Sequence, residues 1–570
     1  MPYPAMPLSA VHALLTAPGS PLEVVEAEVM GVRQRVWRNA PPSLRDIFLA
    51  ARAHGPKDFL VYEDERATFE ALARASVAFA HELQRQGVAK GDRVAIAMRN
   101  LPEWPAAFFG SMLAGAVVVP LNAWSTGPEL QYMLEDSGAK VAVVDPERLD
   151  RIAPALAACP ALRRVYVSRL ETPPPGALRF EDVVGKTADW AALPALDLPE
   201  VALAPDDDAT IFYTSGTTGR PKGALGTHRN ACSTLFARAY GKAAASLRRG
   251  EAPPAADPNA PQESTLLSVP FFHVTGCFST LIPAFFAGVK IVTMRRWDAL
   301  EALKLIERER INGAGGVPTI AWQLIEHPDF AKYDTSSLVN FSYGGAPAPA
   351  DLVRRIKGAT PAAALATAWG MTETSAPFTI VIGEDYETHP TTCGYALPVG
   401  DIRIVGADGL DKPNGEAGEL WVRGPMVVKG YWNQPEATEQ TFGGGWLRTG
   451  DIAKMDDEGF CYIVDRAKDM LIRGGENIYC VEVENALAAH PHVVDAAVVG
   501  RPHKVLGEEP VAVVTIKPGS ALDEATLRAF AGERLAAFKV PVTILIREEM
   551  LPRNANGKIL KRDLRKLFAA

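Results

Sequence analysis

One glycine- and hydroxyl-rich stretch decides how this chain is interpreted: Thr214-Ser215-Gly216-Thr217-Thr218-Gly219-Arg220-Pro221-Lys222-Gly223. It comes directly after a short apolar run that includes Ile211 and Phe212. Its glycines free the backbone to curl, so that N–H groups can converge on an anion. Its hydroxyls are further donors for phosphate oxygens, and Arg220 and Lys222 add positive charge. The stretch therefore predicts a phosphate-binding loop after a strand, although it lacks the GxxxxGK[ST] spacing of a Walker loop.

Further motifs follow the loop along the chain. They are WGMTET at 369–374, LRTGD at 447–451, DRAKD at 465–469, GGEN at 474–477 and PRNANGK at 552–558. Together with the loop, they resemble the adenylate-forming superfamily of acyl- and aryl-CoA synthetases, adenylation domains and beetle luciferases. The resemblance is closest to fatty-acid–CoA ligases. It implies an enzyme that uses ATP to convert a carboxylic acid to an acyl-adenylate, releases pyrophosphate, and passes the acyl group to coenzyme A.

The resemblance also implies which residues contact ATP and its metal ion. Glu373 would hold Mg²⁺, a hard ion that prefers oxygen ligands beside phosphate. Thr372 would contact the α-phosphate, and Asp451 would accept hydrogen bonds from the ribose hydroxyls. Trp369 stands where most relatives have a tyrosine against adenine, and offers a larger stacking face without a phenolic hydroxyl. The remaining nucleotide contacts would come from Thr214, Ser215, Gly216, Thr217, Thr218, Gly219, Lys222, Gly344, Gly345, Ala346, Gly370 and Arg466.

The acid site is predicted in the same way. Lys558 would reach the α-phosphate and the substrate carboxylate during adenylation, where a point charge on a flexible stem suits a group whose charge is moving. His273, in FFHVTG at 271–276, would border the carboxylate, although a lone histidine after an aromatic run is usually a core residue. Val317, Pro318 and Trp322 are candidates for the wall of the acyl pocket, and a core position would explain them equally well.

The second half-reaction needs an attacking thiol from a new direction. The family achieves this by rotating its C-terminal domain, and hinge motions usually depend on a few residues. The resemblance predicts an N-terminal domain over 1–465, a mobile C-terminal domain over 466–570, and a hinge at Lys468. On rotation Lys558 would leave the site, and Gly474 and Gly475 would line the thiol tunnel.

The order of helix and strand patterns predicts an α/β fold. In the first third, helix patterns at 68–86, 103–114 and 127–136 alternate with strand patterns at 93–98, 116–119 and 140–144. This alternation predicts a large domain of mostly parallel sheets flanked by helices, which bind ligands at the carboxyl ends of their strands. Short strand patterns from 401 to 465 predict a small antiparallel lobe, and a new alternation after 465 predicts a smaller α+β domain.

Two segments are harder to interpret. Residues 248–263 are rich in proline and alanine and predict a mobile surface loop. Residues 269–294 are the most membrane-like, but they contain His273, Pro283 and Lys290, which oppose a spanning helix. We therefore expect two buried strands and a short helix there, and no integral membrane segment.

Composition excludes several classes. The net charge of −8 opposes nucleic-acid binding, which needs a basic surface. The six cysteines are scattered without a CxxC pair, so a reducing cytoplasm is favoured over a disulfide scaffold or zinc site. The first residues lack the basic and apolar regions of a signal peptide. A homodimer and peripheral membrane contact are both left open.

The acceptor and the acid remain open as well. An acyl-AMP ligase that loads a carrier protein would share every motif. A luciferase-like oxygenase and a nucleotide-binding regulator are weaker alternatives, because a regulator has no use for Lys558 at a reacting phosphate. Apolar pocket candidates favour a medium- or long-chain fatty acid over acetate, and leave aryl, steroid and terpenoid acids as alternatives.

Overall fold

A computed structural model describes residues 3–214, 220–254, 257, 259–345, 350–474, 476–554 and 557–568. Two large sheets, a small antiparallel sheet and a C-terminal sheet make up most of this structure. Two further strand pairs are Val24–Val29 with Val32–Trp37, and Gly370–Met371 with Ala376–Pro377. The fold therefore confirms the predicted α/β class, with mixed sheets flanked by helices.

The first large sheet carries the predicted phosphate loop. Its strands, in spatial order, are Gly430–Tyr431, Lys222–Thr227, Asp208–Thr214, Val117–Pro120, Arg93–Ala97, Val141–Val144, Arg164–Val167 and Ala177–Arg179. The strands from Asp208–Thr214 onward are parallel, whereas the first two join by antiparallel pairing. The strands and helices predicted in the first third are present, with ends displaced by a single residue.

The second large sheet is also parallel in its centre. Its strands, in spatial order, are Tyr395–Ala396, Thr379–Ile382, Ala364–Ala368, Asn340–Gly344, Gly313–Gly316, Ser264–Leu267, Lys290–Thr293, Asp58–Tyr62 and Glu65–Thr68. An apolar core joins it to the first sheet, and includes stacked rings such as Phe69 and Phe285. Because the two sheets share this core, the strand ends of both are held in fixed relation.

The predicted small lobe is a four-stranded antiparallel sheet of Asp401–Val405, Gly418–Arg423, Leu447–Met455 and Cys461–Arg466. The C-terminal sheet follows in the chain. Four of its strands lie side by side in the order Glu476–Ile478, Leu471–Arg473, Gly507–Ile516 and Val493–His503. The fifth strand, Thr543–Arg547, pairs with Gly507–Ile516. Apolar residues of these C-terminal strands and helices form separate clusters of their own.

Helices cover the sheets. Phe69–Arg85 shows why they form: the Thr68 side chain caps its first turn by accepting from the Ala71 N–H, and its apolar face is buried. Within the described ranges, no helix combines the length and apolar character needed to cross a membrane. The α-helices are Leu8–Leu15, Leu44–Ala51, Phe69–Arg85, Glu103–Leu113, Gly127–Ser137, Pro146–Ile152, Glu181–Val184, His228–Ser233, Ala237–Arg248, Val274–Gly276, Ile282–Ala287, Ala299–Glu309, Pro318–Ile325, Ala350–Ala359, Glu384–Thr388, Pro435–Phe442, Cys480–Ala488, Glu524–Gly532 and Lys561–Arg565.

One expectation needs correction. The apolar stretch 269–294 contains one strand, Lys290–Thr293, and a helical stretch that runs from Val274 to Ala287 through a π-helical segment, because apolar runs alone do not distinguish helix from strand. The described residues between Arg248 and Ser264 form no helix or strand, which agrees with the predicted surface loop, but both ends of the segment are anchored. Arg248 closes a helix and pairs with Asp385 in the interior, and Glu263 pairs with Arg238.

Candidate active site

The predicted phosphate loop connects two antiparallel strands of the first sheet. Thr214, the last residue of one strand, pairs in register with Lys222, the first residue of the next. The positions between them that were assigned to phosphate contacts, Ser215, Gly216, Thr217, Thr218 and Gly219, lie outside the described residues. The hairpin geometry nevertheless fixes where the loop leaves and re-enters the sheet.

Glu373 lies beside this hairpin. It sits in the 3₁₀ turn Thr372–Thr374, its side chain is buried, and its Oε1 accepts a hydrogen bond of 2.7 Å from the Tyr431 hydroxyl. The turn is reached through Gly370, where an added Cβ would lie 1.9 Å from the Ala376 carbonyl oxygen. Thr372 is half-buried at the start of the turn. The motif therefore presents a carboxylate and a hydroxyl from adjacent residues.

Asp451 is held from two sides. Its Oδ2 accepts a hydrogen bond of 2.9 Å from the Trp369 indole N–H, and its Oδ1 pairs with Arg466 Nε at 2.6 Å. Asp451 and Trp369 are both buried, whereas Arg466 is partly exposed. The sequence predicted these three residues as nucleotide contacts, and the structure places them in direct contact with one another.

Lys558 reaches the same place from the C-terminal part of the chain. Its ammonium group interacts electrostatically with Arg466, Asp451 and Glu373, and with the predicted hinge residue Lys468. Lys558 is itself an exposed residue. Loss of surrounding water and the charge of Arg466 nevertheless lower the pKa of Lys558 to about 8, against an opposing effect from Asp451.

His273 lies close enough to Lys558 for their charges to interact. Burial, aided by the Lys558 charge, lowers the pKa of His273 to about 3, so its imidazole is neutral at physiological pH. Its Nδ1 accepts a hydrogen bond of 3.2 Å from the Thr275 N–H, which assigns the remaining ring proton to Nε2. His273 is therefore a neutral hydrogen-bond donor beside a cationic lysine.

The proposed pocket wall is close to the loop that carries Lys558. An added Cβ on Gly557, whose φ is +73°, would lie 2.6 Å from Cγ2 of Val317. Val317 and Pro318 are buried at the start of the helix Pro318–Ile325. Trp322, one turn along, has a ring face covered by the Arg355 guanidinium at 4.6 Å. Val317 thus packs against the loop that carries Lys558, and Trp322 packs against a cation.

The other predicted residues lie on three further segments of the chain. Gly344 ends a central strand of the second sheet, and Gly345 follows it with φ +77°, while Ala346 lies outside the described residues. Lys468 is exposed just after the strand Cys461–Arg466. Gly474 is exposed and donates its N–H to the Leu506 carbonyl, and Gly475 lies outside the described residues.

Sequence reasoning missed Tyr431. It was not singled out because a tyrosine in GYW between two turns has no motif of its own, and its partners are distant in sequence. The structure places its ring 5.0 Å from Lys222 Nζ and its hydroxyl on Glu373.

Comparison with known families settles the class of protein. Residues 47–432 match the family described as AMP-binding enzyme, and residues 482–558 match the AMP-binding enzyme C-terminal domain. This chain belongs to the AMP-binding enzyme family. The resemblance to the adenylate-forming superfamily is thereby confirmed, and the second match covers the part of this AMP-binding enzyme that carries Lys558.

Relatives with assigned names are CoA ligases or CoA synthases as well. The AMP-binding enzyme is 34% identical over 507 residues to the long-chain-fatty-acid–CoA ligase FadD13 of Mycobacterium tuberculosis, covering 89% of this chain and 94% of the relative. It is 36% identical over 505 residues to a feruloyl-CoA synthase of Amycolatopsis sp, covering 88% and 94%. A solved anthranilate CoA ligase, AuaEII, in complex with anthranoyl-AMP superposes with a TM-score of 0.80 at 27% identity, covering 93% and 97%. The chain is an AMP-forming acyl-CoA synthetase.

Proposed function

We propose that this synthetase activates a hydrophobic carboxylic acid, first of all a medium- or long-chain fatty acid, as an acyl-adenylate and transfers the acyl group to coenzyme A. One observation supports the proposal: Lys558 lies close enough to Asp451, Arg466, Glu373 and His273 for its charge to interact with them. These groups come from both family-matched regions of the chain or from the segment that joins them. A protein that only bound a nucleotide would gain nothing from an ammonium group at this point.

In the proposed adenylation step, a carboxylate oxygen attacks the α-phosphorus while the bond to pyrophosphate breaks. The acid and the triphosphate are both anionic, so cations must offset their repulsion as they approach. Lys558 supplies a charge that can bridge the carboxylate and the α-phosphate. Asp451 holds the ribose hydroxyls, with Trp369 against adenine, so that the phosphorus is fixed in position.

Mg²⁺ fits the residues present. In the described part of the chain, no cluster of three or more His, Cys, Asp or Glu side chains could hold a metal. Glu373 would contribute the protein ligand, because Mg²⁺ is usually bound by one or two carboxylates together with substrate phosphates. When bound, the ion supplies positive charge to the phosphates.

His273 and Thr372 complete the proposed chemistry. The neutral Nε2–H of His273 donates to the substrate carboxylate without adding a proton that would quench its nucleophilicity. Thr372 donates its hydroxyl to the α-phosphate, where negative charge accumulates in the transition state.

The thiol step requires a change of arrangement. We propose that residues 466–570 rotate against residues 1–465 about Lys468, which removes Lys558 from the cleft. Gly474 and Gly475 then line the path of the coenzyme A thiol. Support comes from the separate apolar clusters of the C-terminal strands, which let this region move as a unit.

The choice of acid rests on two kinds of support. Val317 places an apolar side chain beside the loop that carries Lys558. FadD13 is named for long-chain fatty acids, whereas feruloyl-CoA synthase and the anthranilate ligase are named for aromatic acids. An aryl acid is therefore the second candidate.

The test is an acid panel. Acetate, octanoate, palmitate and ferulate are incubated with ATP and Mg²⁺, and pyrophosphate release is measured with coenzyme A or a phosphopantetheinylated carrier protein as acceptor. We expect the highest kcat/KM with a fatty acid and with coenzyme A. A preference for acetate would refute the hydrophobic pocket, and acylation of the carrier alone would refute the acceptor.

The role of Lys558 has its own test. We expect Lys558→Ala to abolish acid-dependent ATP–pyrophosphate exchange, because the ammonium that offsets the anionic charge is lost, while thioester formation from supplied acyl-AMP continues. Lys566→Ala is the matched control, since Lys566 belongs to the same C-terminal region and pairs with Asp563 at the surface. Exchange that survives Lys558→Ala would contradict the assignment.

A further inference from the structure

Tyr431 makes the one side-chain hydrogen bond recorded to Glu373 among the residues that the structure describes. Its hydroxyl donates to Oε1 at 2.7 Å, and the Glu373 side chain is otherwise enclosed. One carboxylate oxygen is therefore committed to the phenol. The other is left for a ligand, and the bond restricts rotation of the carboxylate.

The same tyrosine also holds Lys222. The Lys222 ammonium lies 5.0 Å from the centre of the Tyr431 ring, a cation–π distance. Phe442 packs its ring edgewise against the tyrosine at 5.4 Å. The ring therefore has a fixed orientation, and one side chain links the cation of the phosphate loop to the carboxylate of the turn Thr372–Thr374.

The backbone around Tyr431 is anchored to the phosphate-loop hairpin. Tyr431 pairs with Ala224 of the strand that leaves the loop, and Trp432 donates its N–H to the Gly223 carbonyl at 2.7 Å. The Tyr431 N–H donates to the Thr438 hydroxyl at 2.9 Å. These bonds fix the register, so the phenol cannot shift along the strand without breaking the pairing.

We propose that Tyr431 is a positioning residue for adenylation: its hydroxyl aims Glu373 at the metal that accompanies ATP, and its ring aims Lys222 at the phosphates. This inference rests on the proposed function and adds to it a residue that the motifs do not identify. A phenol keeps its proton at neutral pH, so the Tyr431 hydroxyl can donate to Glu373 Oε1 as the contact requires.

The test uses Tyr431→Phe, which keeps the ring and removes the hydroxyl. Mn²⁺ replaces Mg²⁺ as a spectroscopic probe, and its affinity is measured by electron paramagnetic resonance in the presence of α,β-methylene ATP, which cannot release pyrophosphate. We expect about tenfold weaker Mn²⁺ affinity, the usual effect of losing a partner that orients a metal ligand. Affinity for the metal-free analogue should stay close to wild type, because Lys222 keeps its ring.

Tyr166→Phe is the matched control. Tyr166 also donates to a glutamate, Glu82 at 2.6 Å, but between the strand Arg164–Val167 and the helix Phe69–Arg85. It should leave Mn²⁺ affinity unchanged. Equal Mn²⁺ affinity in Tyr431→Phe and wild type would overturn the proposal.

A second measurement does not depend on the stability of that variant. In full-length protein with 3-fluorotyrosine at position 431, the ¹⁹F resonance should broaden strongly when Mn²⁺ and α,β-methylene ATP bind. An unaffected resonance would place the metal elsewhere and overturn the proposal. Failure of the proposed function is seen separately, as wild-type protein that releases no pyrophosphate with any acid.

Discussion

The indole of Trp369 makes a contact that a tyrosine ring at this position would not make in the same way, and Trp369→Phe isolates it. The substitution keeps an aromatic face for adenine but removes the N–H that donates to Asp451 Oδ2 at 2.9 Å. We expect weaker binding of the ribose, because the buried Asp451 carboxylate loses one of the two groups that fix its orientation.

The magnitude follows from the geometry. A hydrogen bond to a charged group contributes about 1.5–3 kcal/mol, which corresponds to roughly 10- to 150-fold in an equilibrium constant. Arg466 still holds Oδ1 at 2.6 Å, and water from the cleft can partly replace the indole donor. The lower end therefore applies, and the KM for ATP should rise about tenfold with a smaller change in kcat.

ATP–pyrophosphate exchange at saturating acid gives KM and kcat. Trp421→Phe is the matched control, since the Trp421 indole donates to Glu419 at the same 2.9 Å on the small antiparallel sheet. Equal KM values for the two variants would refute the argument that the indole orients Asp451. A loss of kcat alone would refute it too, because it would place the effect on the chemical step.

Two further predictions concern the loop that carries Lys558. Since the pKa of Lys558 is lowered to about 8, rising pH removes its proton from the unliganded enzyme, and kcat/KM for adenylation should fall about tenfold per pH unit above that value. The Lys558→Arg variant should be slower than wild type but should not show this decrease at alkaline pH. A wild-type profile that stays flat to pH 10 would contradict the assignment. Gly557→Ala should slow adenylation by roughly 5- to 30-fold, from about 1–2 kcal/mol of backbone strain at its positive φ, with the contact to Val317 adding to this, and should spare thioester formation from acyl-AMP. Val317→Ala should restore part of the lost rate, and no restoration would show that the contact is unimportant.

The sequence predicted those features that local pattern determines. The alternation of helix and strand patterns located strands such as Arg93–Ala97, because the spacing of apolar residues and the position of turn residues depend only on neighbouring parts of the sequence. The motifs located Asp451 and Glu373, because the chemistry demands those residue types. The sequence did not predict the Tyr431–Glu373 or Trp369–Asp451 hydrogen bonds, which join residues distant in sequence and depend on how the sheets pack.

The buried ion pair of Arg248 and Asp385 was not predicted for the same reason, because its two residues are distant in sequence. Arg248 begins the segment predicted as a surface loop, and Asp385 belongs to an acidic stretch that no motif marks. In the fold, the helix Ala237–Arg248 brings the guanidinium to an interior carboxylate, and both side chains are almost fully enclosed. A charge is buried in this way only when a partner is present, and local pattern gives no information on the partner.

The position of the predicted hinge in the sequence determines which nucleotide contacts would persist after the C-terminal region rotates. Arg466 is the first residue of the region 466–570, but it lies before the predicted pivot Lys468 and pairs in register with Asp451 on the neighbouring strand, so we expect this pair to persist when the residues after Lys468 rotate. Lys558 lies beyond that hinge and would depart. Rotation about Lys468 would therefore keep the ribose contacts on AMP while removing the charge needed only for adenylation. The nucleotide half of the acyl-adenylate would stay in place as the thiol arrives, which lets one cleft serve two consecutive reactions.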